Sequence, residues 1–191
     1  FVLAWLAGLG RLSRLWVLRW PAIAYIEVFR GTSALVQLFW FFYALPLLGI
    51  SLNPMTAGVV VLGLNIGAYG AEVVRGAIQS IDRGQHEACT ALNLSPARAL
   101  WLVIAPQAVV RMLPPAGNLL IELLKSTALV SLITLSDLTF KGLILRADSL
   151  RTTEIFGTLL VMYFVIALGL TAIVRWVEAR VKRGWHMETA S

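Results

Sequence analysis

Charge is what this 191-residue sequence has least of. Asp, Glu, Lys and Arg make up 14% of it and hydrophobic residues 59%, whereas a soluble globular domain is about a quarter charged. That balance excludes an ordinary cytosolic domain. Cysteine is nearly missing too: the single Cys89 rules out an internal disulfide framework and a thiolate metal site, and two histidines leave no cluster of imidazole ligands. No Gly-x-x-x-x-Gly-Lys-Ser/Thr phosphate loop is found. His86-Glu87 opens a His-Glu-x-x-His pattern, but Thr90 stands where the second zinc ligand belongs, and there is no Gly-x-Ser-x-Gly nucleophile elbow. Metallohydrolase and serine-nucleophile chemistry are set aside on those grounds.

What is present in quantity is apolar sequence. No charged residue occurs from Gly31 to Ala71, which as one straight helix would reach roughly twice the hydrocarbon thickness of a bilayer. Pro46, Gly49, Asn53 and Pro54 mark the turn that folds it back, so two spans are expected, about residues 32–48 and 54–74. A further span is predicted over 113–135, opening at Pro114-Pro115, and another over the uncharged run 155–174. Residues 1–10 are apolar but supply only about 15 Å, half a crossing. They are read as the remaining half of a first span. The expectation is an all-α membrane protein with five transmembrane helices, the first truncated at its amino terminus, forming one domain over residues 1–191.

The net charge of +6 takes its meaning from position. Arg11, Arg14, Arg19 and Arg30, then Arg75, Arg83, Arg98 and Arg111, then Arg175, Arg180, Lys182 and Arg183 flank one side of the spans. The other side holds Lys141, Arg146 and Arg151. By the positive-inside rule the loop over about 76–110 and the carboxy terminus are cytoplasmic. Trp16, Trp20, Trp176 and Trp185 suit the membrane interface beside these bases, so the basic balance points to membrane lipid and not to nucleic acid.

The loop has more internal design than a connector requires. Asp82 with Gln85 three positions on makes a capping-box pattern, a helix follows over 85–92, and Asn93 can end it in a left-handed conformation. Ser95 and Pro96 start a second short helix that Ala105-Pro106 is expected to break. Inside the spans, Glu122 and Lys125 lie three apart with Asn118, Ser126 and Thr127 nearby. Ionisable groups at such depth face protein or water. They line a translocation path or pair with each other at a subunit interface. Asn65 and Tyr69 form a second polar stripe, although Gly63, Gly67 and Gly70 beside them equally suit close helix packing. Glu72 with Arg75 reads as a structural pair. The outer stretch 137–154, of mixed charge, is either a docking loop for a soluble protein or a solvated connector.

The run Gln85-His86-Glu87-Ala88-Cys89-Thr90-Ala91-Leu92-Asn93-Leu94-Ser95, followed by Val103-Ile104-Ala105-Pro106-Gln107-Ala108, resembles the EAA loop of the permease subunits of bacterial ABC importers. The likeness extends through Glu27-Val28-Phe29-Arg30-Gly31-Thr32, Ala71-Glu72-Val73-Val74-Arg75-Gly76, Leu113-Pro114-Pro115-Ala116-Gly117-Asn118 and Leu124-Lys125-Ser126-Thr127 to the polar amino acid branch of that family. Cys89 and Asn93 depart from its alanine and glycine. The resemblance implies the type I ABC importer permease fold in the inner membrane, and a coupling helix that docks on a separate ATPase subunit through Arg83, Gln85, His86, Glu87, Ala88, Cys89, Leu92, Asn93 and Ser95. Spacing alone equally allows Glu87 to pair with Arg83 one turn back. It further implies a second permease subunit, identical or related, and a soluble or lipid-anchored substrate-binding protein. ATP and Mg would sit on the ATPase, with no cofactor on this chain. The substrate pathway would draw on Asn65, Tyr69, Asn118, Glu122, Lys125 and Ser126. The stretches 30–40 and 44–49 look most like permeases for ectoine and hydroxyectoine, with polar amino acids such as glutamine, arginine or histidine behind them. A self-sufficient ion-coupled transporter is the rival, but it does not account for the capped cytoplasmic loop.

Overall fold

The computed structural model describes residues 1–188, with side chains described through residue 182. Arg183 and Trp185 from the tally above lie outside the described side chains. The chain runs α1 (Val2–Leu12), α2 (Trp16–Gly31), α3 (Ala34–Phe39), α4 (Pro54–Gln79), α5 (Arg83–Ala91), α6 (Pro96–Arg98), α7 (Ala105–Thr127), α8 (Leu138–Ser149) and α9 (Thr152–Glu188). Among the described residues three helices are long and apolar enough to cross a membrane: Pro54–Gln79, Pro96–Ile133 and Thr152–Lys182. The pair Trp16–Gly31 and Ala34–Leu48 makes a fourth if taken as one span, bent by 104°. Val2–Leu12 is a shorter apolar helix beside them.

Helix α4 is the axis of the bundle. Its buried residues include Ala57, Gly58, Gly67, Ala68, Gly70, Ala71 and Ala77, small side chains that let neighbouring backbones come close where lipid supplies no hydrophobic drive between helices. Around one end of it Leu38, Ala57, Val61, Leu62, Val130 and Ile133 form an apolar cluster. Around the other, Ala4, Val74, Ile78, Ile104, Ala108 and Met112 form a second. A methyl group on Gly70 would lie 2.8 Å from Ala4 Cβ, and one on Gly8 would lie 2.8 Å from the Ala71 carbonyl oxygen. Gly63, by contrast, faces open space. Helix α9 packs on α7 along one side and leaves Leu160, Val161, Phe164, Val165 and Leu168 exposed, the apolar surface expected to meet lipid.

Several boundaries differ from the expectation. The segment carrying Arg19 and Arg30 is helix α2 and not a connection. Its charges concealed an apolar face that buries Ala22 and Ile26. The predicted break at Ala105-Pro106 does not occur, and one helical rod runs from Pro96 to Ile133. A wide π-type turn over Ala99–Ile104, in which the Ala105 N–H donates to the Leu100 carbonyl, absorbs the N–H that Pro106 lacks. Pro114 and Pro115 therefore lie inside the helix and do not open it, which neighbouring helices tolerate in lipid. The outer stretch read as a loop is helix α8, capped where Asp137 Oδ1 accepts from the Phe140 N–H at 2.7 Å. It ends at Leu150 in the left-handed region (φ 58°), where the sequence carries no glycine to announce a stop.

At Gly117 α7 and α9 lie close together: a β-carbon there would collide with the Val174 side chain. Gly117→Leu should force the two helices apart and cost about 1–3 kcal/mol. The check is a lower thermal midpoint of the purified protein in detergent, with Gly63→Leu unchanged.

Candidate functional site

Helix α5 stands off the bundle on the loop between α4 and the long rod. Its start departs from the predicted capping box. The Asp82 side chain makes no cap bond, and Gln85, whose N–H donates to the Asp82 carbonyl at 3.0 Å, uses its side-chain oxygen to accept from Gln107 Nε2 at 3.0 Å. The far end is as expected. Asn93 has φ 54°, its N–H donates to the Thr90 carbonyl at 2.9 Å, and Leu94 N–H donates to the Cys89 carbonyl at 3.0 Å, the pair of bonds that satisfies a helix terminus when a left-handed residue follows. Ser95 caps with its backbone carbonyl alone, which accepts from Ala99 N–H at 2.9 Å, and Pro96 takes the first position.

Arg83, Gln85, His86, Glu87, Ala88, Leu92, Asn93 and Ser95 are all exposed. Cys89 is the exception. At 4% exposure it packs inward under the helix and corrects the expectation that it shares an outward contact face. Small residues do face outward, but they are Gly84, Ala88 and Ala91, all exposed at i, i+4, i+7 spacing. Gly84 was not foreseen because it precedes the motif. Among the described residues no ion pair joins Glu87 to Arg83.

Within the bundle the polar residues divide. Asn65 is buried, and its Nδ2 donates to the Phe29 carbonyl at 3.0 Å and to Gln37 Oε1 at 3.1 Å. Gln37 Nε2 in turn donates to Phe29 O at 2.9 Å and Thr32 Oγ1 at 2.7 Å. These bonds satisfy the carbonyls left free where α2 breaks into α3. Asn65 thus braces the bend and does not sit on an open face. Tyr69, half-buried, lies under the Arg30 guanidinium, 5.4 Å from ring centroid to Cζ. Glu72 is more than a partner for Arg75. It accepts from Arg11 Nη1 at 2.6 Å and from Arg75 Nη2 at 2.7 Å, with Arg30 Nη1 at 3.9 Å. Arg11 also reaches Glu27 at 3.2 Å. One carboxylate ties α1, α2 and α4 together.

Helix α7 presents the opposite case. Arg111, Asn118, Glu122 and Lys125 are exposed along one face, with half-buried Gln107 a turn below. Positions 107, 111, 118, 122 and 125 follow the helical repeat, and the stripe runs about 27 Å at 1.5 Å per residue. Arg111 bonds to the Ser80 carbonyl at the end of α4 and to Ser80 Oγ at 3.2 Å. Glu122 and Lys125 make no ion pair among the described residues, with each other or otherwise. Ser126 is half-buried beside them. The span was expected to open only at Pro114-Pro115, whereas α7 begins at Ala105, which is why Gln107 and Arg111 were missed as members of the stripe.

Residues 1–183 match the family described as the binding-protein-dependent transport system inner membrane component, and the chain belongs to that family. It is 51% identical over 182 residues, 92% of its length, to 76% of a probable amino-acid ABC transporter permease protein of Sinorhizobium fredii. It is 40% identical over 183 residues to the glutamine transport system permease protein of Escherichia coli, covering 95% of this chain and 84% of that one. The crystal structure of an amino acid ABC transporter with histidines superposes with a TM-score of 0.88 at 36% identity, over 94% of this chain and 84% of the other. An inward-facing methionine ABC transporter shares the fold, with a TM-score of 0.73 at 18% identity. The fold is that of the type I ABC importer permeases, and the chain is a multi-pass membrane protein.

The Glu72 side chain is 18% exposed, so its loss leaves Arg75 without a counter-charge and Arg11 with Glu27 alone. Glu72→Gln should destabilise the bundle by about 3 kcal/mol, read as a drop in thermal midpoint and in yield of folded protein, with Glu72→Asp in between.

Proposed function

We propose that this chain is the permease subunit of an ATP-driven importer for a polar amino acid or a related zwitterion. It forms one half of a pathway completed by a second permease subunit, identical or related. The observation that carries this reading is the polar stripe on α7. Glu122 and Lys125 at that depth cannot face lipid without a large cost, yet both are exposed and nothing among the described residues covers them. A facing subunit and a water-filled path between the two supply what they lack. In this reading Asn118, Glu122, Lys125 and Ser126 line the path, and the neighbouring opposite charges suit a solute carrying both an ammonium and a carboxylate. The relatives named for glutamine and for amino acids support that substrate class. Ectoine and hydroxyectoine fall within it as zwitterions to assay beside glutamine, arginine and histidine.

ATP binding belongs to a separate subunit, since the sequence has no phosphate loop. That subunit docks on the outward face of α5, where Glu87 offers charge and Gly84, Ala88 and Ala91 allow close approach. Two bonds tie α5 and the end of α4 to α7: Gln85 to Gln107, and Arg111 to Ser80. A push on α5 therefore reaches the helix that carries the path, a rigid-body transmission between outward and inward access. The basic loop end and the carboxy terminus face the cytoplasm. Helix α8, with Lys141, Arg146 and Asp148, faces outward toward a substrate-binding protein. Family membership disfavours the self-sufficient transporter.

Glu87→Arg and Ala88→Asp should each abolish uptake and co-purification of the ATPase while the chain still inserts; retained transport in both variants would refute docking at this face. Glu122→Gln should leave assembly intact and lower solute uptake at least tenfold, about 1.4 kcal/mol of lost path stabilisation, measured in proteoliposomes against a panel of zwitterionic solutes.

A further inference from the structure

A cavity of about 730 Å³ lies between the last turn of α1, the end of α4, helix α5 and the π-type turn. Its size is that of a small-molecule site. The wall includes Leu9, Leu12, Leu100 and Ile104, and the polar side chains lining it are Ser13, Arg14, Gln79, His86 and Thr90. The lining contains no carboxylate. Arg14 is exposed and makes no ion pair among the described residues. The occupant that fits is amphiphilic and anionic.

Its source follows from the residues next in the chain. Leu15, Trp16, Val17 and Trp20 are between 56% and 75% exposed, and Trp16 and Trp20 stand edge to face at 6.2 Å. An apolar surface with paired tryptophans is what a membrane interface favours, so the mouth of the cavity opens at headgroup depth. We propose that this cavity binds an anionic phospholipid of the inner leaflet, its phosphate against Arg14 and His86 and an acyl chain along the leucine wall. Basic pockets between helices at this side of a membrane hold acidic headgroups in the same manner. The lipid would wedge between α1 and the underside of α5, setting how far that helix can approach the bundle. The proposal rests on the chain's place in the membrane and is independent of which protein docks on the outer face of α5.

Cys89 is buried, whereas Thr90 lines the same cavity and is exposed, so Thr90→Cys in a Cys89→Ala background supplies the probe. The assembled transporter is reconstituted in vesicles of phosphatidylcholine alone or with increasing phosphatidylglycerol. Maleimide labelling of the peptide containing position 90 is then followed by mass spectrometry. Labelling should slow as phosphatidylglycerol rises. In Arg14→Gln the phosphatidylglycerol fraction needed for half-protection should rise about fivefold, the share of one cationic contact at an anionic surface, while Arg14→Lys should stay close to wild type. Equal labelling in both vesicles would overturn the proposal, and so would protection that Arg14→Gln leaves untouched. Protection by inorganic phosphate in pure phosphatidylcholine would assign the site to a soluble anion and overturn the lipid. The assay reads a thiol and not uptake, so its failure is distinguishable from failure of the transport reading.

Discussion

A polar group held in hydrocarbon must bond to protein or meet water, and that rule sorts the polar residues of this bundle into two sets. Asn65, Gln37 and Glu72 are satisfied from within the chain, and each bridges elements distant in sequence. Asn65 and Gln37 bond the carbonyls freed at the bend between α2 and α3, and Glu72 gathers guanidinium groups from α1 and α4, with that of α2 close by. Glu122, Lys125 and Asn118 are exposed on one face of α7 among the described residues, and the proposed second subunit would supply their partners. The first set holds the subunit together. The second points at what the subunit is for.

The same division explains what could be read before the fold was known. Long uncharged runs and their prolines located the spans of α4 and α9, because an apolar length near the bilayer thickness has few other uses. Asn93 was legible as a left-handed stop, since few residues besides glycine take that conformation cheaply. Helix α2 was not legible: its arginines read as loop charge, and the carboxylate that Arg30 approaches, Glu72, lies far along the chain on α4. The continuity of α7 through Pro106 escaped for a different reason. A wide turn can stand in for a missing N–H, and nothing local in Ala105-Pro106 distinguishes that from a stop. The exposure of the other loop positions was legible from the motif, but Cys89, expected beside Ala88, packs inward. Facing is set by packing against the π-type turn, which short-range pattern does not encode.

Helix α5, the lever of the proposed coupling, has very little holding it. Cys89 packs inward beneath it, and one side-chain hydrogen bond, from Gln107, reaches it from the long rod. Its far end is closed by its own backbone through Asn93 and Leu94. A short element of fixed shape on a slender attachment passes force without absorbing it, because its own geometry is satisfied before any partner arrives.

The uncovered stripe on α7 also bears on how such subunits are counted in the cell. A copy that finds no companion keeps Glu122 and Lys125 against acyl chains, a penalty that persists for as long as it is alone and vanishes on pairing. If the pathway is shared as proposed, unpaired copies are the ones left with charges in hydrocarbon, and solvation alone favours the finished assembly.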